Sequence, residues 1–329
     1  MRLRQLPPLI VGAVVATLVG CGGDQNTLAA KSHPQHEIVR VFWVVFGVSC
    51  FGFGVIVLLL FLGWWRRNQP SLPGGGGERA ATMVVIGMGI ALPIALLVAL
   101  FVWSDLLVAR STAAPAPGST KLTIRVIGHQ FWWEVRYDGT DVATANEIHI
   151  PVRTRVDVLL STADVIHSFW IPELNRKTDM IPGADNRQLL IANEPGIYRG
   201  QCSEFCGLQH AHMAVEVIAQ PRAQFDAWLA AQKKPAAASA SRGAQIFQQQ
   251  ACGGCHTIRG TPAHGDVGPD LTHFASRSTI AALTEPNTAA NVRYWIEYAQ
   301  RVKPGNKMPD LALPEADWNA LAAYLETLR

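Results

Sequence analysis

Apolar residues along the 329-residue chain follow three rhythms in succession. In the first third they run almost uninterrupted, from Leu9 to Val19, from Ile38 to Trp65 and from Met83 to Val108. The first run is too short to cross a bilayer. Each of the others exceeds the ~20 residues a spanning helix requires and is apolar on every face, which predicts a transmembrane hairpin with helices over about 38–65 and 83–108. From Lys121 to Gln220 the pattern becomes short alternating segments: KLTIRVIGHQFWWEVRY, NEIHIPVRTRVDVLLS, RQLLIANEPGIYRGQ and HMAVEVIAQ. Turn pairs such as Asp138-Gly139 and Pro195-Gly196 separate them. Evenly spaced strands of this kind predict an antiparallel β-sandwich. Helical spacing takes over after Arg242: Val292, Trp295, Ile296, Ala299 and Val302, then Trp318, Leu321, Ala322, Leu325 and Leu328. That predicts a small all-α domain, and under ninety residues its core is limited, so a bound cofactor would help to hold it together.

The ends and joints of these blocks set orientation and boundaries. Arg2 and Arg4 precede the short apolar run as in a secretory signal, and Leu18-Val19-Gly20-Cys21 resembles the lipobox of bacterial lipoproteins, which implies acylation of Cys21. The loop RRNQPSLPGGGGER carries Arg66, Arg67 and Arg79, marking it as cytoplasmic. Both ends of the hairpin then lie outside, and everything after Arg110 is periplasmic or on the outer cell surface of a bacterial inner (cytoplasmic) membrane. STAAPAPGST and KKPAAASASR read as flexible linkers. The resulting division is a signal peptide over 1–20, a hairpin over 21–111, a sandwich over 112–232, a linker over 233–242 and a helical domain over 243–329. A net charge of +3 without a basic cluster argues against a nucleic-acid partner. Of six cysteines, Cys21 is assigned to lipid and Cys50 to a membrane helix, and the other four form two close pairs, a poor framework for disulfides.

The second pair is Cys252-Gly-Gly-Cys255-His256, the CxxCH attachment motif for c-type haem. Two thiols at this spacing reach the two vinyl groups of one porphyrin, and the adjacent His256 turns its imidazole to the iron. Gly268-Pro269-Asp270-Leu271 and Lys307-Met308-Pro309 follow, and nearly all of 241–329 resembles a class I cytochrome c domain. Met308 is the candidate for the iron's sixth position, with His264 and His273 as competitors expected in a polar surface loop.

The first pair lies in CSEFCGLQHAHM, residues 202–213. So many soft and imidazole side chains together suit a transition metal: two thiolates can bridge two copper ions, with a histidine on each and a weak thioether. The remaining imidazole is offered by His167 in Val165-Ile166-His167-Ser168-Phe169-Trp170. A tetrahedral zinc site built from Cys202, Cys206, His210 and His167 is the competing reading, though zinc would not need Met213.

With these motifs the region from the hairpin to about residue 220 resembles subunit II of the haem-copper oxidases, whose CuA domain has a cupredoxin fold. The resemblance implies a Greek-key sandwich and a dinuclear copper with ligands His167, Cys202, Cys206, His210, Met213 and the backbone carbonyl of Glu204. It also implies a magnesium ion held with the Glu204 carboxylate at the subunit I interface, and leaves His212 outside the ligand set. Gly128-His129-Gln130-Phe131-Trp132-Trp133-Glu134 resembles the segment through which that family takes electrons from cytochrome c, making Phe131 and Trp132 the electron-input candidates. Lys177 to Gly183 resembles its docking loop towards the catalytic subunit. The chain departs from the family in having Phe131 where many members have tryptophan, and in lacking a carboxylate in VVIGMGIALP. Together the motifs point to subunit II of a caa3-type cytochrome c oxidase, partnered by subunits I and III and fed by cytochrome c or another upstream donor. Neither apolar run contains a histidine that could hold a haem in the membrane, so oxygen reduction is expected in subunit I. A nitric oxide reductase copper subunit and a zinc-stapled, haem-bearing lipoprotein scaffold are the alternatives.

Overall fold

The computed structural model describes residues 23–68, 77–250 and 252–329. The signal segment and Cys21 lie outside the described residues. The chain divides into two compact units, one formed by residues 33–113 and the other by the N-terminal segment up to Ser32 with residues 114–329.

The first unit is a pair of long helices, α1 (His33–Arg66) and α2 (Glu78–Thr112). Both outrun the apolar stretches, because backbone hydrogen bonding does not stop where the side chains turn polar, and Pro34 is compatible with a first turn. Phe51, Phe53, Leu60 and Phe101 are each about seven-tenths exposed on the protein, as side chains that face lipid would be. One turn of α2, Gly87–Ala91, is π-helical and runs up to Pro93. Proline offers no N–H to the helix ladder, and two nearby glycines ease the local widening.

The second unit has two lobes. The larger is a cupredoxin-like sandwich of ten strands: β1 (Leu122–His129), β2 (Trp132–Tyr137), β3 (Ala143–Ala145), β4 (Glu147–Pro151), β5 (Val156–Thr162), β6 (His167–Trp170), β7 (Thr178–Met180), β8 (Asn186–Leu190), β9 (Gly196–Cys202) and β10 (Ala214–Gln220). One sheet has the order β3-β2-β1-β5-β8 and the other β4-β10-β9-β6-β7. Most neighbours are antiparallel, but β1 with β5 and β4 with β10 run parallel, a departure from a purely antiparallel sandwich that alternation alone does not reveal. Inward residues of the two sheets, among them Ile124, Val126, Trp133, Val158, Ile148, Phe169 and Val217, are wholly buried and form one core. Tyr137 closes one end, its hydroxyl accepting from the His149 N–H and donating to the His149 carbonyl. Residues before Ser32 lie along this lobe through Lys31 N–H to the Glu173 carbonyl and Asn193 N–H to the Lys31 carbonyl.

The smaller lobe packs α4 (Arg242–Gln249), α5 (Ala289–Glu297), the short α6 (Ala299–Val302) and α7 (Glu315–Leu325) around Phe247, Ile258, Val292, Ile296, Trp318 and Leu325. Ahead of it α3 (Arg222–Gln232) lays Phe225 and Trp228 against the sandwich. The segment after α3 is not the loose tether its Ala/Ser composition suggests. Ala236 is buried with its N–H on the Arg259 carbonyl, Arg259 donates to the carbonyls of Gln232 and Lys233, and His273 Nε2 meets the Lys234 carbonyl. The lobes also meet directly: Ser278 donates its N–H to Glu147 at 2.7 Å and places its hydroxyl 3.0 Å from Glu147 and 2.8 Å from Glu216.

Candidate copper and haem centres

At one end of the sandwich β6 and the loop after β9 bring the copper candidates together. Cys202 ends β9 and His167 begins β6, and both are buried. Cys202 Sγ lies 3.7 Å from His167 Nδ1 and 3.2 Å from the Glu204 carbonyl. Cys206 Sγ lies 3.7 Å from His210 Nδ1 and 3.8 Å from Met213 Sδ. Each thiol therefore has its own imidazole and one weaker donor. His167, Cys202 and Cys206 present ligand atoms within 4.8 Å of one another, and His210 stands outside that group. Two half-sites joined by two sulfurs fit a bridged pair of soft metal ions better than one tetrahedral ion taking all four side chains. Among the two thiols, hydrogen bonding from Cys206 outweighs burial and, with His167, holds Cys202 well below the usual thiol range, while the same contact drives Cys206 upward.

The support around this loop was not visible in the sequence. Asp164 Oδ1 accepts from His167 Nε2 at 2.9 Å, which leaves Nδ1 facing the sulfur, and Asp164 Oδ2 accepts the Gln130 N–H at 2.8 Å. Burial opposes the Asp164 charge, but His167 and two backbone N–H groups outweigh it and keep the carboxyl ionised. Burial likewise opposes the His167 charge, yet Asp164 and Cys202 raise its pKa. Gly128 is required beside this imidazole, since a Cβ there would sit 2.7 Å from His167 Cδ2. Gln130 Nε2 reaches the Cys206 carbonyl at 2.6 Å, and the Trp133 indole N–H points at the Met213 carbonyl at 3.4 Å. Removing a carboxylate that orients a metal-binding histidine costs roughly 10–100-fold in metal affinity. Asp164→Ala is therefore expected to weaken copper binding by about that factor in a competition titration, with the haem spectrum unchanged.

The haem candidates line a cleft between the lobes. Cys252, Cys255, His256 and Met308 all border it, with Leu271, Phe274, Ile280 and Trp295 supplying apolar walls. His256 Nδ1 donates to the Pro269 carbonyl at 2.8 Å, which fixes the ring and leaves Nε2 for a metal. Gly268 explains its place in Gly-Pro-Asp-Leu: a Cβ would come within 2.6 Å of the His256 ring. Burial lowers the His256 pKa, keeping the imidazole neutral as a ligand must be. Of the three sixth-ligand candidates only Met308 borders the cleft. His264 is exposed, and His273, expected at the surface, is buried because its Nε2 is engaged by the Lys234 carbonyl. The opposite wall belongs to the sandwich: Gln130, Phe131, Trp132 and Asn146. Phe131 is buried there against Gly207, and Trp132 stacks on His129 with ring centroids 4.4 Å apart. His212, left outside the ligand set, is exposed and bonded to Gln209, but its carbonyl accepts from Lys303 of the smaller lobe.

The family described as "Cytochrome C oxidase subunit II, periplasmic domain" matches residues 139–220, and that described as "Cytochrome c" matches residues 240–329. Cytochrome c oxidase subunit 2 of Alkalihalophilus pseudofirmus is 34% identical over 329 residues, covering 95% of this chain and 94% of the relative. The chain belongs to the cytochrome c oxidase subunit 2 family. Within that family, the Bacillus subtilis subunit 2 is 31% identical over 223 residues, 63% of this chain and 62% of the relative. A solved periplasmic domain of subunit II of cytochrome oxidase from Bradyrhizobium japonicum is 30% identical with a TM-score of 0.34, covering 36% of this chain and 97% of that one. A subunit II domain followed by a cytochrome c domain is the composition of a fused, caa3-type subunit II, and it implies CuA copper and haem c. The subunit II assignment and the two apolar helices describe a membrane protein with a periplasmic domain.

Proposed function

We propose that this chain is the electron-input subunit of a caa3-type cytochrome c oxidase in the bacterial cytoplasmic membrane. In this reading electrons arrive from cytochrome c, pass through haem c and a dinuclear copper, and leave for haem a of subunit I, where oxygen is reduced to water. Residues 1–20 are the leader, Cys21 carries lipid, 21–111 anchor the chain, 112–232 hold copper, 233–242 join the lobes and 243–329 hold haem. The observation that carries the proposal is the shared wall: the cleft bordered by His256 and Met308 is closed by Gln130, Phe131 and Trp132, and Gln130 is itself bonded to the Cys206 carbonyl.

The bound groups would supply reversible one-electron carriers, and the residues would hold them still. Cys202, Cys206, His167, His210, Met213 and the Glu204 carbonyl would hold the copper. Buried sulfurs and an imidazole fixed by Asp164 would leave little to reorganise when the charge changes. Cys252 and Cys255 would attach the haem covalently, and His256 and Met308 would hold its iron. The Glu204 carboxylate would face subunit I with magnesium, and subunit III would complete the assembly.

The test is a reduced-minus-oxidised spectrum of the full chain, matured in a host that attaches c-type haem and reconstituted with copper, with both metals counted on the same sample. A c-type band, a near-infrared mixed-valence copper absorption and two coppers to one iron are expected. Zinc in place of copper, or no copper after reconstitution, overturns the relay.

A further inference from the structure

The loop between α6 and α7 carries Met308, and its own hydrogen bonds knot it into one rigid piece. Asn306 donates its side-chain amide to the carbonyls of Ala299 at 3.0 Å and Lys303 at 2.7 Å, and accepts the Met308 N–H at 2.6 Å. Gln300 donates to the carbonyls of Asn306 at 2.8 Å and Met308 at 2.7 Å. Whatever holds Lys303 therefore holds Met308.

Lys303 is 3% exposed, and its Nζ reaches across to the sandwich, donating to the His212 carbonyl at 2.7 Å as well as to the Ala281 carbonyl of its own lobe at 2.9 Å. His212 stands between His210 and Met213, two candidate copper ligands. The same loop meets the sandwich twice more. Leu208 packs so close to Gly305 that a Cβ there would lie 3.1 Å from it, and Lys307 Nζ lies 3.5 Å from Asp164. Among the described residues no carboxylate pairs with Lys303, and burial pulls its pKa down to about 7. An ammonium buried against carbonyls alone costs folding free energy that an apolar side chain of similar length would not. Its return is direction: two donors aimed at fixed carbonyls in two different loops.

We propose that Lys303 is the positioning residue for electron transfer between the haem and copper centres, tying the loop that presents Met308 to the loop that presents Cys206, His210 and Met213. The inference rests on the electron-relay reading above. In the step it serves, the one electron given up by the reduced haem is the one gained by the copper pair, and no bond forms or breaks. Lys303 sets the separation and orientation at which that crossing happens.

The experiment uses the oxidase carrying the full-length chain, with Lys303→Met, and follows electron redistribution from haem to copper after flash reduction. Loss of both Nζ hydrogen bonds lowers the docked fraction, so the rate is expected to fall by about tenfold or more. The haem band, the haem potential and the near-infrared copper band should stay as in wild type. On the same chain before metal loading, amide hydrogen exchange at residues 279–284 and 210–213 should speed up. An unchanged rate and unchanged exchange with both bands intact overturns the proposal, whereas absence of the copper band from the wild type overturns the relay reading instead. Should Lys303→Met fail to accumulate, the wild type decides by ionic strength. A buried contact leaves the rate level as salt rises, and a steep loss shows that the exposed Lys307–Asp164 pair does the holding.

Discussion

If the copper centre is dinuclear as proposed, Cys206→Ser is expected to abolish the near-infrared copper absorption and to reduce bound copper to one ion or none, with the c-type haem band untouched. The sulfur of Cys206 is the atom that the His210 and Met213 side of the site has in common with the Cys202 side: it stands 3.7 Å from His210 Nδ1, 3.8 Å from Met213 Sδ and within 4.8 Å of the ligand atoms of Cys202 and His167. A serine oxygen is harder, stays protonated at neutral pH and bridges soft ions poorly. The loss in affinity should exceed the ~10–100-fold expected when only a supporting partner such as Asp164 is removed. Serine is smaller than cysteine at a position 3% exposed, so the sandwich core, centred on Trp133 and Phe169, should keep its fold. Metal counting beside circular dichroism checks both halves of the expectation. Two retained coppers in a folded variant, with the near-infrared absorption intact, would show that Cys206 is not a bridge.

How much of this site could be read from the chain depends on whether its chemistry is local. The ligand loop from Cys202 to Met213 and the Cys252–His256 motif are legible because the spacing of soft donors within a few residues already restricts what they can bind. The two sheets were legible through alternation, but not the parallel β1–β5 and β4–β10 pairs, which depend on how distant strands meet. Gln130 and Lys303 carry no local signature: each is an ordinary polar residue until folding sets it against the Cys206 carbonyl or the His212 carbonyl. Asp164 alone had a readable clue, standing three residues before a candidate ligand. Composition misled in two places. Ala/Ser richness made residues 233–242 look loose, although Arg259 and His273 bind their start through carbonyls that every residue type provides. Polarity made His273 look superficial, although one backbone acceptor is enough to bury an imidazole.

Met308→Ala is expected to lower the reduction potential of the haem by a few tenths of a volt, within the ~0.8 V that axial ligands span, and to open the iron to carbon monoxide. The haem should remain attached, because its attachment rests on Cys252 and Cys255, which the substitution leaves in place, and His256 keeps its bond to the Pro269 carbonyl. A thioether favours the reduced iron, so its removal makes that haem a stronger reductant. Passage of the electron onward to copper then becomes more downhill, and its delivery from the external donor more uphill. Each ~59 mV of lost potential shifts the one-electron equilibrium with the donor tenfold, so the variant should stall at reduction by cytochrome c while a haem reduced directly still discharges. A potentiometric titration, carbon monoxide difference spectrum and stopped-flow reduction separate these effects. If potential and spectrum are unchanged and carbon monoxide does not bind, Met308 is not the sixth ligand. His273 could replace it only by giving up its bond to the Lys234 carbonyl and leaving a buried position, which a second variant, His273→Ala, would expose as a shifted spectrum.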